Sequence, residues 1–163
     1  MSENSIPVNI AMMRVARPPV TLHSLGLGSC IGVAIYDPVE KIGGLLHALL
    51  PKIGEFTGEA HNRAKFADSG IQDLVELLEA HGARRSRMKA KMAGGAAMFA
   101  LRPGSRVGDI GKRNVESAVS TLRRLGIPLV AQDTGGNKGR TIIFDVDTGQ
   151  MTIKMIDRAV KVI

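Results

Sequence analysis

Along the 163 residues the spacing of apolar positions changes period several times, and each change marks a predicted element. Val8–Val15 is mixed apolar and reads as a first or edge strand, stopped by Pro18-Pro19. Leu25-Gly26-Leu27-Gly28-Ser29-Cys30 is punctuated by glycine and reads as a turn or strand end. The apolar, β-branched run Ile31–Tyr36 then reads as a buried strand ended by Asp37-Pro38. Gly43-Gly44 leads into a second apolar run, Leu45–Leu50, closed by Pro51, and polar Lys52–Asn62 reads as a surface loop. The period then lengthens. Ala67, Ile71, Leu74, Val75 and Leu78 form one helical stripe, with Gly82 as its C-terminal stop.

Arg87–Met92 alternates strictly, cations on one face and Met or Ala on the other, which predicts a half-exposed strand ended by Gly94-Gly95. A second amphipathic helix carries Val115, Ala118, Val119 and Leu122 and stops at Gly126, with Pro128 behind it. Strand-like Ile127–Ala131, Thr141–Val146 and Met151–Ile156 follow, separated by the turns Asp133–Asn137 and Asp147–Gly149. These last strands lie at hairpin distance, and each helix is apolar on one stripe only. The expected fold is therefore an α/β (α+β) layered sandwich: a mixed, partly antiparallel sheet covered by two amphipathic helices. No internal repeat or low-complexity linker interrupts the chain, so residues 1–163 read as a single domain.

Composition narrows the function classes. Hydrophobic residues at 44% and charged residues at 23% exclude disorder, collagen and coiled coil as overall descriptions. One cysteine cannot close an internal disulfide, and with four histidines it cannot build a Cys-rich zinc site. A net charge of +7 leads us to expect an anionic partner. With no Trp, one Tyr and four Phe, base stacking on single strands is disfavoured. Neither the N-terminal stretch MSENSIPVNI nor any later run has the length of a signal peptide or a membrane span, so a soluble, cytoplasmic protein is expected.

Cys30 follows Gly-Leu-Gly-Ser, where the backbone can bend sharply and leave a thiol at a strand entrance. It reads either as a nucleophile or as a small buried hydrophobe. His47 lies inside an apolar run, so its ring is either a core histidine bonded to backbone or a partner across from Cys30 on the next strand. Adjacent strands lie ~4.8 Å apart, which a Cys–His pair can bridge. Ser24 shares parity with Cys30 and reads as an orienter of the imidazole or as a surface serine; His23 precedes it. His61 and His81 carry no assigned role. Gly26 and Gly28 begin a dinucleotide fingerprint, but Ile31 holds the third glycine's place and a strand follows; no P-loop occurs. Asp133–Asn137 reads as a hairpin turn in preference to a substrate loop. Cations cluster at Arg84–Lys91 and again at Arg102, Arg106, Lys112, Arg113, Arg123 and Arg124, and on one side they would steer an acidic partner.

Several of these segments together resemble the CheD family, the chemoreceptor glutamine deamidases of chemotaxis. They are Leu25–Cys30, Tyr36-Asp37-Pro38, Gly43–Pro51, Lys65–Asp68, Lys91–Phe99, Ile110–Val115, Gly126-Ile127 and Asp133–Gly136. The Cys and His segments are the specific part. The resemblance implies an α/β sandwich related to toxin deamidases, with Cys30 as nucleophile and His47 as general base and acid. Ser24 stands where the family commonly has Thr, keeping the hydroxyl and losing the methyl that restrains it. It further implies deamidation of Gln to Glu on receptor cytoplasmic domains through a thioester, with hydrolysis of glutamyl methyl esters by the same route. No metal or organic cofactor is needed for that chemistry. The CheC phosphatase is an implied partner, and neither nucleic-acid binding nor membrane insertion is expected. The competing reading is a non-catalytic basic module, either an adaptor of CheC or a nucleic-acid binder, with its function on Arg84–Lys91.

Overall fold

In the computed structural model, which describes residues 4–56, 58, 62–98 and 109–163, the two apolar runs that flank Asp37–Lys41 pair as an antiparallel hairpin. Strands β1 (Ser5–Pro7), β2 (Met12–Ala16) and β3 (Thr21–Leu27) precede it; the hairpin itself is β4 (Ile31–Asp37) and β5 (Ile42–Ala48). Helix α1 (Ala67–Ala80), β6 (Lys89–Gly94) and helix α2 (Ile110–Arg124) follow, and then β7 (Leu129–Thr134), β8 (Arg140–Asp145), β9 (Met151–Met155) and β10 (Val160–Val162). The strands form two five-stranded sheets, ordered β2-β5-β4-β6-β7 and β1-β3-β8-β9-β10. Both are mixed: β6 pairs with β7 and β1 with β3 in parallel, and the other ladders are antiparallel.

Three layers result, because β4 and β5 are apolar on both faces and must be covered twice. One face carries Ile31, Val33, Ile35 and Leu46 and packs beneath Ile71, Leu74 and Leu78 of α1 and Ala118 and Leu122 of α2. The other carries Cys30, Ala34 and Leu45 and meets Leu22, Ile142, Phe144 and Ile153 of the second sheet. Both helices end as their stop glycines predict. Gly82 and Gly126 take φ of 101° and 75°, and the next residue's N–H reaches back to Leu78 and Leu122 respectively.

Two local expectations change. The single strand expected over Val8–Val15 is interrupted: Val8 donates its N–H to the His23 carbonyl at 2.7 Å, and Asn9–Ala11 turns before β2 begins at the sheet edge. Asp133–Asn137 is not a hairpin turn. β7 stays beside β6, while β8 pairs with β3 in the other sheet, so the segment crosses between sheets. Arg140, almost fully buried, holds that crossing by donating to the carbonyls of Asp133, Gly135 and Lys138. The Asp147–Gly149 turn does close the β8–β9 hairpin. Among the described residues, no helix is long and apolar enough to cross a membrane.

Candidate active site

β3 ends irregularly, its register against β8 shifting between Ser24 and Leu27, with Gly26 at φ 62°. Gly28–Cys30 then carries the chain from the second sheet to the first and delivers Cys30 at the entrance of β4. In the hairpin Gly32 lies opposite His47 and Ile31 opposite Ala48. Strand parity therefore puts Cys30 and His47 on the same face, toward the second sheet, as diagonal neighbours. Such pairs lie about 7–8 Å apart at the backbone, within side-chain reach.

The imidazole is held by main chain. His47 Nδ1 lies 3.1 Å from the Val8 carbonyl oxygen, and Ser24 Oγ donates to the same oxygen at 2.7 Å. A carbonyl only accepts, so Nδ1 carries the proton and Nε2 keeps its lone pair. Nε2 is buried and has no hydrogen-bond partner. Burial lowers the His47 pKa, which the Val8 contact only partly offsets, so the ring rests neutral. Ser24 is buried, and its hydroxyl hydrogen-bonds to the shared oxygen rather than to the ring.

Cys30 is a free thiol, 8% exposed. Burial pushes its pKa up, and its own backbone N–H, facing the sulfur, offsets part of the rise. Both shifts favour the uncharged forms, a thiol and a neutral imidazole. The Cys30 carbonyl is taken by the Gly95 N–H at 2.9 Å, and the Gly28 carbonyl by the Ala96 N–H at 2.9 Å. Gly94 makes that approach possible: its φ is 106°, and a Cβ there would sit 2.3 Å from the Cys30 oxygen.

The other histidines stand apart. His23 points to the opposite face of β3 from Ser24, with Nδ1 2.6 Å from Ser5 Oγ, and burial lowers its pKa. His81 caps α1 through Nδ1 and the Leu77 carbonyl at 2.8 Å. His61, Arg102 and Arg106 lie outside the described residues. In the Arg84–Lys91 run Arg84 and Lys89 are exposed, while the other three cations have partners in the fold. Arg85 pairs with Glu79 at 2.7 Å, Arg87 with Asp37 at 2.9 Å, and Lys91 Nζ donates to the Ile163 carbonyl at 2.9 Å.

A cavity of about 470 Å³ bordered by Gly95, Ala97, Lys112, Val115 and Gly135 lies beyond the Gly94-Gly95 turn and includes neither Cys30 nor His47. Among the described residues, no three His, Cys, Asp or Glu side chains gather closely enough to hold a metal ion. Sequence reasoning missed the Val8 carbonyl, since a backbone oxygen has no residue signature. It also missed Asn114, a polar residue within the buried face of α2 formed by Gly111, Ser117, Ala118 and Thr121.

Residues 49–155 match the family model for CheD, chemotactic sensory transduction, a match that begins two residues past His47. Full-length similarity covers the rest. A probable chemoreceptor glutamine deamidase CheD of Clostridium novyi is 45% identical over 163 residues, all of both chains. One of Moorella thermoacetica is 50% identical over 161 residues, 97% of this chain and 95% of that one. Among solved structures, the Bacillus licheniformis hypothetical protein YfiH aligns with a TM-score of 0.46 at 16% identity, over 75% of this chain and 49% of that one.

Proposed function

Starting from the chain's membership of the CheD family, we propose that it deamidates chemoreceptor glutamines with Cys30 as nucleophile and His47 as general base and acid. The observation that carries this reading is the buried, unpartnered Nε2 lone pair on the same strand face as the thiol. A glutamine side chain enters at Cys30. Nε2 takes the Sγ proton as sulfur bonds to the carboxamide carbon, and the carbonyl π electrons move onto oxygen. The backbone N–H groups of Ser29 and Cys30 are the candidate donors to that oxyanion. The imidazolium returns its proton to the departing nitrogen, which leaves as ammonia, and a thioester remains. His47 then takes a proton from water, hydroxide adds to the thioester carbon, and the C–S bond breaks. Sulfur recovers the proton and glutamate is left. A glutamyl methyl ester follows the same course with methanol as leaving group. No step calls for a metal or organic cofactor.

Residues 1–163 act here as one catalytic domain in the cytoplasm, where receptor signalling regions lie, and CheC is a partner by family resemblance. The net charge of +7 favours encounter with an acidic receptor helix. The alternative, a non-catalytic basic module for CheC or nucleic acid, is weakened because Arg87 and Lys91 are part-buried and bonded to Asp37 and the Ile163 carbonyl. The test is ammonia release from a receptor cytoplasmic fragment, with mass spectrometry locating Gln-to-Glu conversion. Cys30→Ala and His47→Ala are each expected to abolish it while leaving the circular dichroism spectrum unchanged. Retained release in Cys30→Ala would end the reading.

A further inference from the structure

β4 and β5 part company where the site begins. Their ladder ends at Ile31 and Ala48, and the next two residues of β5's chain, Leu49 and Leu50, both give their N–H groups to the Lys65 carbonyl, at 2.9 and 3.0 Å. One side chain bridges the gap. Asn114, from α2, is 0% exposed, and its Nδ2 donates to the Ser29 carbonyl at 2.9 Å and to the Leu49 carbonyl at 3.1 Å. Its Oδ1 is buried and has no partner.

Asn114 leaves its own Oδ1 unpaired while supplying two other acceptors, so its place in the fold turns on the Ser29 and Leu49 carbonyls that it joins. Two carbonyl acceptors side by side need one nitrogen with two protons, which Asn has and Asp, Ser and Leu lack. The consequence for chemistry comes through the peptide plane. The Ser29 carbonyl and the Cys30 N–H belong to the same trans peptide and point in opposite directions. Fixing the carbonyl toward α2 fixes the N–H toward the site. Leu49 lies two residues past His47, so the same amide ties the strand of the base to the turn of the nucleophile.

We propose that Asn114 is a positioning residue: its Nδ2 locks the Ser29–Cys30 peptide to the end of β5, aiming the Cys30 N–H at the developing oxyanion and keeping Cys30 in register with His47. The inference rests on the Cys30–His47 reading above. Loss of one oxyanion donor lowers kcat by about 10²–10³-fold, and a misplacement of 1 Å by about 10²-fold. Asn114→Ala and Asn114→Asp are to be assayed for ammonia release from the receptor fragment, alongside wild type and Cys30→Ala. Folded fractions come from thermal melts, and Cys30 alkylation by iodoacetamide is followed against pH. The expected result is a kcat per folded molecule about 100-fold below wild type with KM within about twofold, and an alkylation profile displaced from wild type in both variants. The proposal is overturned if kcat per folded molecule stays within about threefold of wild type, if KM alone changes, or if the alkylation profiles superimpose. Failure of both variants to fold would equally overturn it, by making Asn114 a stability residue. Activity persisting in Cys30→Ala would instead refute the underlying reading, so the two failures are distinct.

Discussion

Replacing Asp37 with Asn tests the support of β4 at the end remote from the thiol. The Asp37 carboxylate is almost wholly buried yet densely bonded. Oδ1 accepts from the Val39 and Glu40 amides at 3.0 and 3.1 Å, Oδ2 accepts from the Arg84 amide at 2.9 Å, and the Arg87 guanidinium grips both oxygens. Burial alone would raise its pKa, but these donors together hold it down to about 2, against an ordinary 3.8. A folded-state value below the unfolded one means that the ionised form stabilises the fold. The contribution is complete above pH 3.8 and is lost as pH falls through 2. The difference corresponds to about 2 kcal/mol at neutral pH and about half of that at pH 3. Asp37→Asn also turns an amide N–H toward the Arg84 and Arg87 donors, adding a penalty that does not titrate. Urea unfolding at pH 7, 5 and 3 should show the variant less stable by at least about 2 kcal/mol at pH 7, with the gap narrowing by about 1 kcal/mol at pH 3. Cys30 lies about 20 Å away along β4, so the variant's kcat should match wild type. A gap that stays constant or widens in acid would refute the argument, and so would a kcat that falls while the protein remains folded.

Two further outcomes follow from the geometry. Ser24→Ala removes one of two donors to the Val8 oxygen; stability should fall by about 1 kcal/mol and kcat by no more than about tenfold, against ~10²–10⁴ for loss of a general base. Melts and steady-state ammonia release check both. Gly94→Ala forces a Cβ to 2.3 Å from the Cys30 oxygen at a φ of 106°, so the melting midpoint should drop by the equivalent of roughly 1–3 kcal/mol or more, with kcat reduced. A variant as stable and active as wild type would contradict the close approach.

Local periodicity carried much of the fold. The stripe from Ala67 to Leu78, with Gly82 beyond it, defines α1 because a helix over a sheet must bury one face and then stop. Ile31–Tyr36 falls within β4 and the first four residues of Leu45–Leu50 within β5, and their short connection makes the two strands partners, which is also why Cys30 and His47 share a face. What local pattern cannot carry is the choice among partners. Asp133–Asn137 has the composition of a hairpin turn, yet a buried Arg140 bound to three carbonyls sends the next strand to another sheet. Val8 looks like a strand residue by hydropathy; its departure from the ladder is decided by His23 and His47, each remote in sequence. The doubling of the expected sheet has the same origin, since apolarity on both faces of β4 leaves open whether helices or strands provide the second cover.

The Val8 oxygen has one more consequence. Every amino acid offers the same carbonyl, so steering the imidazole through it frees position 8 from any demand for a particular functional group. What must be preserved is the path of the chain from Pro7 to Met12. Insertions or deletions in that short span would turn the His47 ring while leaving Cys30, His47 and Ser24 unchanged in the sequence, and such lesions would pass unnoticed in a comparison of those residues alone.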